Sequence, residues 1–145
     1  MRFVDKNIRD FEQLQREFRW QIPENFNMAE AVCDRHGTGA GRVALFTETA
    51  GGQSKQFTFD QLKELSNRFA NALRSMGVTA GDRVAIVLPQ RVETGLCHLA
   101  TWKLGAISLP LSVLFGSDSL RYRLEDSGAR VVIAAGAALD RVHDM

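Results

Sequence analysis

The spacing of apolar residues alternates between helical repeats and continuous runs, and this pattern predicts most of the secondary structure. Apolar residues recur at helical spacing in residues 6–20 and 58–76, which predicts a helix in each. Three later stretches, residues 84–88, 106–111 and 130–135, are apolar without alternation. Continuous apolar runs of this length are typical of strands that are covered on both faces, so we expect three buried strands.

Polar residues and glycines mark the ends of the predicted helices. Asn27 is placed to cap a second helix that runs to about residue 36, with Glu30 as its capping-box partner. Thr58 is placed in the same way before the long helix, and Gln61 follows three positions later. Gly77 is expected to stop that helix, because glycine adopts the left-handed conformation with which many helices end.

Helices predicted at residues 92–104 and from 117 to about 127 separate the three strands. Helices that alternate with covered strands imply a parallel sheet with helices on both faces. We therefore predict an α/β fold, a three-layer parallel-sheet (Rossmann/flavodoxin-like) subdomain. Short strands at residues 43–47 and 56–58 predict a small β-hairpin before it, with a glycine-rich turn between them.

The sequence divides into an N-terminal helical appendage at residues 1–42 and a partial α/β subdomain at residues 43–145. The alternation of helix and strand continues past the third strand, and residues 134–145 look like the start of another helix. Open α/β sheets usually contain more than three parallel strands. We therefore expect the sequence to be part of a longer protein.

Charge and composition exclude several classes of protein. The 145 residues contain 18 Lys and Arg and 17 Asp and Glu, and the two signs are interspersed. Without a basic stripe, binding to nucleic acid is not expected. No apolar stretch is long enough for a membrane span or a signal peptide, so we expect a cytoplasmic protein. Cys33 and Cys97 are expected to be buried free thiols, because their spacing matches no metal site or redox motif.

Ligands of open α/β sheets bind beyond the carboxyl ends of the strands, and three segments qualify: residues 89–93, 112–117 and 135–136. The second segment joins a strand to a helix N-terminus, where Gly116 permits close backbone approach and free N–H groups attract an anion. A structural interpretation competes with this one, in which Ser117 caps its own helix and Gly116 makes the turn.

Other chemically reactive residues do not form a recognisable site in the sequence. His36 is expected to be a surface histidine at a helix end, and the glycine-rich run that follows it a plain loop. Cys97 and His98 are adjacent on a helix and point in different directions, so they cannot act as a dyad. Glu93 and His98 are five positions apart, which is poor metal-ligand spacing, and His143 lies in the C-terminal tail. We assign no catalytic residue and no metal ligand.

Two longer motifs carry a family resemblance. Residues 57–90 contain GVTAGDRVA after a long helix, and residues 98–134 contain KLGAISLP followed by LRYRLEDS. In this order the motifs resemble the first and second signatures of the adenylate-forming superfamily. Residues 26–36 are similar to the N-terminal helix of its acetyl- and medium-chain acyl-CoA synthetases. The resemblance covers residues 26–135.

The resemblance implies a ligase that joins a carboxylic acid to CoA in two steps. The carboxylate attacks the α-phosphate of ATP to give an acyl adenylate and pyrophosphate, and the thiol of CoA then displaces AMP. ATP, Mg²⁺ and CoA are the implied cofactors, and a small carboxylic acid is the implied substrate. The resemblance also places Phe115, Gly116 and Ser117 beside the CoA nucleotide, although Ser117 stands where the family has a second glycine.

The family's phosphate loop, its ribose-binding aspartate and its catalytic lysine have no counterpart in this sequence. We therefore expect the 145 residues alone to be inactive and to bind none of these cofactors tightly. An exposed sheet edge would also favour self-association. The alternative is a complete, non-catalytic α/β module that binds a nucleotide-like ligand or a partner protein.

Overall fold

The computed structural model describes residues 10–20 and 23–143, which form six α-helices, five strands and one short 3-10 helix. In chain order these are α1 Phe11–Glu17, α2 Met28–Val32, the 3-10 helix Asp34–His36, β1 Val43–Glu48, β2 Ser54–Thr58, α3 Phe59–Ser75, β3 Arg83–Val87, α4 Val92–Lys103, β4 Ile107–Pro110, α5 Ser117–Ser127, β5 Val131–Ala134 and α6 Ala137–Val142. The predicted alternation of helix and strand is confirmed.

Strands β3, β4 and β5 form a parallel sheet in the order β4-β3-β5. Successive side chains of β3 point to opposite faces of the sheet, as strand geometry requires. Val84 packs in one apolar cluster with α3 and α4, whereas Ala85 and Val87 pack in another with α5 and α6. The structure therefore has the predicted three layers, with two helices on each face of the sheet.

The interpretation of all three strands as buried is wrong for two of them. In β3, Val84 to Val87 are at most 2% exposed, because the strand has a neighbour on each side. Strands β4 and β5 each have one neighbour in the described sheet, and their residues are half-buried or exposed. Ile107 in β4 is 52% exposed. An apolar run thus identified the strands without distinguishing the centre of the sheet from its edges.

The predicted caps position the helices. The Thr58 hydroxyl accepts from the Gln61 backbone N–H at 3.2 Å, and the Gln61 side chain accepts from the Thr58 N–H at 2.9 Å, which completes a capping box on α3. Asn27 caps α2 by accepting from the N–H groups of Ala29 and Glu30. Its amide also donates to the Trp102 carbonyl at 2.9 Å, so one side chain starts α2 and holds it against the end of α4.

Glycines follow α3 and α4 at positions with a left-handed backbone. Gly77 follows α3 with φ +84°, and a Cβ atom there would lie 2.9 Å from the Arg130 guanidinium. Gly105 follows α4 with φ +68°, and a Cβ atom there would lie 3.3 Å from Ala80. Both positions combine a left-handed backbone with a close neighbour, so other residues would be strained there.

Two basic side chains connect elements that are distant in the sequence. Arg83 donates from Nε to the Ser127 carbonyl at 2.8 Å and from Nη2 to the Gly128 carbonyl at 2.8 Å, which holds the end of α5 against the start of β3. Lys103 lies 2.8 Å from the Asp34 carboxylate and donates to the Asn67 side chain at 2.6 Å. Lys103 thus fastens the 3-10 helix to α3 and α4.

The N-terminal part of the chain differs from its prediction in extent. The helix predicted for residues 6–20 is observed as α1, Phe11–Glu17, and residues 6–9 lie outside the described residues. Strands β1 and β2 form the predicted antiparallel hairpin. Among the described residues, no helix has both the length and the apolar character needed to cross a membrane.

Candidate functional site

The loop between β4 and α5 lies at the carboxyl edge of the sheet, where the sequence placed its strongest candidate site. The Leu111 N–H donates to the Ile86 carbonyl at 2.9 Å, which fixes the start of the loop to β3. The Ser112 hydroxyl then accepts from the Leu114 N–H at 3.2 Å, and the Ser112 carbonyl accepts from the Phe115 N–H at 3.2 Å. These bonds give the loop a defined shape before α5 begins.

Phe115 is the anchor of this loop. Its ring packs partly buried into the apolar cluster beneath α5 and α6. The Arg123 guanidinium lies 4.2 Å from the ring centroid, a cation–π geometry, and Arg123 Nη1 donates to the Ser119 hydroxyl at 2.6 Å. A fixed positive charge therefore lies over the loop.

Gly116, and not Ser117, is the N-cap of α5, so the structural interpretation of Ser117 as the cap is wrong. Gly116 has the extended conformation of an N-cap, with φ −70°, and its carbonyl accepts from the Leu120 N–H. No side chain caps the first N–H groups of α5. Apart from its two neighbours in the chain, a Cβ atom at Gly116 would have nothing within 4 Å, so the fold itself does not require glycine at this position.

A second arginine, which the sequence did not single out, reaches the same loop from α6. The Arg141 Nη2 atom donates to the Val113 carbonyl at 2.8 Å, across 28 residues of sequence. Arg123 and Arg141 approach the loop from two different helices. Together with the uncapped start of α5, they make this corner of the sheet favourable for an anion.

A cleft lies next to this loop, between the carboxyl ends of β3 and β4. We call it the strand-end cleft; its volume is about 500 Å³. Pro89 and Pro110 mark the two strand ends, and Thr94 and His98 project into the cleft from α4. The cleft continues into the loop through Ser112 and Val113.

The first candidate segment, residues 89–93, is used mainly for internal contacts. Arg91 and Glu93 form a bidentate ion pair at 2.6 Å and 2.8 Å, with each side chain about half exposed. The hydrogen bonds from Arg91 lower the pKa of Glu93. The Thr94 hydroxyl donates to the Pro89 carbonyl at 2.6 Å, which ties the segment to α4.

The remaining candidates are not brought together with this loop. Cys33 and Cys97 are free and buried, as predicted, and burial raises the pKa of Cys97 to about 11. His36 ends the 3-10 helix and lies 5.0 Å from the Phe59 ring, between centroids. His143 follows α6. Within residues 10–20 and 23–143, no group of three or more His, Cys, Asp or Glu is arranged to hold a metal ion.

The third candidate segment, at the end of β5, is a glycine turn. Gly136 has φ +57° and is the N-cap of the six-residue helix α6. Its contribution to the site is indirect, because the turn directs α6 toward the loop that Arg141 contacts.

The fold and the site together define a class of protein: an α/β domain with an anion-favouring loop at the carboxyl edge of a parallel sheet. The family model described as AMP-binding enzyme matches residues 33–144. The chain belongs to this family.

Among curated relatives, the acetyl-coenzyme A synthetase of Streptomyces coelicolor is 40% identical over 126 residues, which are 85% of this chain and 19% of that protein. The 3-hydroxypropionyl-coenzyme A synthetase of Metallosphaera sedula is 39% identical over 121 residues, which are 82% of this chain and 18% of that protein. The chain thus spans about a fifth of the length of these relatives.

Solved structures share the fold. The acyl-CoA synthetase of Brucella canis superposes with a TM-score of 0.79 and 34% identity over 83% of this chain and 22% of that chain. The inhibitor-bound N-terminal domain of FACL13 from Mycobacterium tuberculosis gives a TM-score of 0.70 and 29% identity over 82% of this chain and 29% of that chain. The sheet and its helices are therefore those of acyl-CoA synthetases.

Proposed function

We propose that this chain is the N-terminal part of an AMP-forming acyl-CoA synthetase. The observation that carries the proposal is the family match over residues 33–144, together with relatives that are about five times longer. The solved N-terminal domain from Mycobacterium tuberculosis supports the position of the segment within such a protein. The whole enzyme would convert a carboxylic acid, ATP and CoA into acyl-CoA, AMP and pyrophosphate.

The loop at Phe115, Gly116 and Ser117 is proposed to contact the nucleotide end of CoA. That end of CoA carries several phosphate groups, which bind to N–H donors and positively charged groups. The uncapped N–H groups of α5 and the Arg123 guanidinium supply positive potential. The open space at Gly116 lets a ligand approach the backbone closely. Ser117 is the first residue of α5, one position after this cap.

No step of adenylate formation is assigned to this chain. The described residues offer no carboxylate cluster for Mg²⁺, and the sequence contains no phosphate loop. We propose that the groups that bind ATP and Mg²⁺ belong to other parts of the enzyme, and that the 145 residues are inactive alone. The proposed location is the cytoplasm, and nucleic acid is not a proposed partner.

The proposed acid is a small carboxylate. The two relatives at about 40% identity are named for acetate and 3-hydroxypropionate, so similarity at this level does not select one acid. Acid choice would then depend on residues outside this segment. The proposal for this chain accordingly concerns the CoA end of the reaction.

A segment exchange tests the function. The matching segment of the Streptomyces coelicolor acetyl-CoA synthetase is replaced by this chain, and acetate-dependent exchange of pyrophosphate into ATP is measured beside acetyl-CoA formation. We expect both activities in the chimaera. A chimaera that is folded but shows no pyrophosphate exchange would contradict the proposal.

A matched variant separates the two half-reactions. Gly116→Trp in the chimaera should preserve pyrophosphate exchange and reduce acetyl-CoA formation, because the indole would fill the space proposed for CoA. A loss of pyrophosphate exchange as large as the loss of acetyl-CoA formation would show that the loop does not act at the CoA step.

A further inference from the structure

A second cavity lies between α3, the start of α4 and the carboxyl end of β5. We call it the α3–α4 groove; its volume is about 550 Å³. The apolar part of its lining consists of large side chains that the fold leaves half-buried: Leu65, Phe69, Leu88, Leu96 and Ile133. Apolar surface that is gathered in one place in this way is typical of a surface that another segment covers.

Helix α1 carries an apolar stripe that the fold also leaves uncovered. Phe11, Leu14 and Phe18 recur at the spacing that places them on one face of a helix. Within Phe11–Glu17 no residue is buried, and Phe11 is 74% exposed. An amphipathic helix usually buries such a stripe against apolar surface. The stripe of α1 is therefore available to a partner.

The charges of the groove match those of α1. Arg68 lines the groove from α3, and Arg91 lines it from the start of α4, so each wall carries an arginine. Successive residues of a helix are rotated by about 100°, which places Glu12 and Glu17 on opposite sides of the apolar stripe. A helix whose stripe faces the groove therefore brings one carboxylate toward each wall.

The two arginines can exchange their present partners at little cost. Arg68 pairs with Glu64 on the surface of α3, where the side chains are 73% and 65% exposed. Arg91 pairs with Glu93, and both side chains are about half exposed. Ion pairs at this exposure contribute little to stability, so they do not hold the groove closed to another carboxylate.

The path of the chain favours a helix from a second copy over the chain's own helix. Asn27 fixes the start of α2 to the C-terminal end of α4, through its bond to the Trp102 carbonyl. The groove lies at the N-terminal end of α4, and twelve residues of helix separate the two ends by about 18 Å. None of the described residues of α1 lines the groove of its own chain.

We propose that the α3–α4 groove binds the α1 helix of a second copy of this chain, with Phe11, Leu14 and Phe18 as its anchors. Anchors at i, i+3 and i+7 are those of helices that bind in apolar grooves. Each copy carries both the helix and the groove, so two exchanged helices close a twofold dimer. The contact goes beyond the proposed function, because it involves neither the acid nor the cofactors.

Photo-cross-linking between isotopically distinct copies tests the proposal. In one preparation of the 145-residue chain, p-benzoylphenylalanine replaces Phe11. These unlabelled copies are mixed with an equal amount of nitrogen-15-labelled parent chain, irradiated and analysed by mass spectrometry. We expect cross-links from position 11 to residues 65–72 or 88–97 of labelled copies.

A variant of the labelled copy and a matched control make the result specific. Ala72 is exposed and lines the groove, so Ala72→Glu adds a carboxylate there without disturbing the core. It should lower the yield of cross-links to labelled copies by about tenfold or more, because a carboxylate loses hydration when an apolar helix covers it. Ala40→Glu adds the same side chain to an exposed loop outside the groove and should cross-link as the parent does.

Three results would overturn the proposal. One is the absence of cross-links from position 11 to α3 or α4, which is also the result expected if copies associate only through the edge of β4. Another is cross-links confined to unlabelled copies, which would place α1 in the groove of its own chain. The third is equal cross-linking to the Ala72→Glu and Ala40→Glu copies.

Discussion

The ion pair between Lys103 and Asp34 should be the strongest charged contact in the fold. Its two side chains are 11% and 21% exposed, and the charged atoms are 2.8 Å apart. Lys103 also donates to the Asn67 side chain at 2.6 Å and to the Lys63 carbonyl at 3.3 Å. Replacing Lys103 leaves a mostly buried carboxylate and two acceptors without their donor.

The magnitude follows from this burial. Breaking a fully buried pair by removing one partner costs about 3–5 kcal/mol. Because this pair keeps some contact with water, we expect Lys103→Met to lower the free energy of unfolding by about 2–3 kcal/mol. Methionine retains the apolar stem of lysine, so the loss reports the charge and its hydrogen bonds. The midpoint of thermal unfolding should fall by about 6–10 °C.

A surface pair in the same protein is the control. Arg68 and Glu64 are 2.6 Å apart on α3, but their side chains are 73% and 65% exposed. Arg68→Met should therefore cost only about 0.3–0.5 kcal/mol. Urea unfolding at constant protein concentration, followed by the fluorescence of Trp20 and Trp102, measures both variants. Equal losses of unfolding free energy in Lys103→Met and Arg68→Met would refute the interpretation of the Lys103–Asp34 contact as a mostly buried ion pair.

Three further predictions follow from the edge of the sheet, the loop and the buried thiol. On size exclusion the purified chain should elute at an apparent mass above 16.1 kDa that rises with protein concentration, because β4 has an open edge with Ile107 exposed. A single monomer at high concentration would contradict this. Gly116→Trp should leave the free energy of unfolding within about 0.5 kcal/mol of the parent, because φ there is −70° and the space is open. A large loss would show a structural role for the glycine. The free energy of unfolding should fall between pH 9 and pH 11, because burial raises the pKa of the Cys97 thiol from 9.0 to about 11. The fall should be shallower in Cys97→Ala, and an unchanged slope would contradict the assignment.

Local rules predicted the ends of the elements well. The cap at Asn27, the capping box of Thr58 and Gln61, and the stop at Gly77 are all observed, because each depends on residues within a few positions of one another. The edges of the sheet were not predictable in this way. Whether Ile107 is buried depends on which strands flank β4, and the residues of β4 alone do not determine that pairing.

The position of the loop between β4 and α5 was predicted, but its internal structure was not, and its role as a site stays a prediction. The loop at Phe115 was selected because ligands of open α/β sheets bind at strand ends. The predicted cap at Ser117 was wrong by one residue, because Gly116 is the N-cap of α5. The part played by Arg141 depends on α6 folding back toward the loop, a contact across 28 residues. The cleft was missed because His98 was compared with Cys97 and Glu93. Its i, i+4 relation to Thr94 is the signal that places both side chains on one face of α4.

The native product in the source cells shows whether this segment belongs to a longer AMP-forming acyl-CoA synthetase. An antibody to residues 23–143 is used to precipitate the protein from its source cells, and its size and its carboxylate-dependent formation of AMP are measured together. We expect a product several times larger than the 16.1 kDa of this chain, with AMP formed only when acid, ATP and CoA are present. A product near 16.1 kDa without this activity would contradict it.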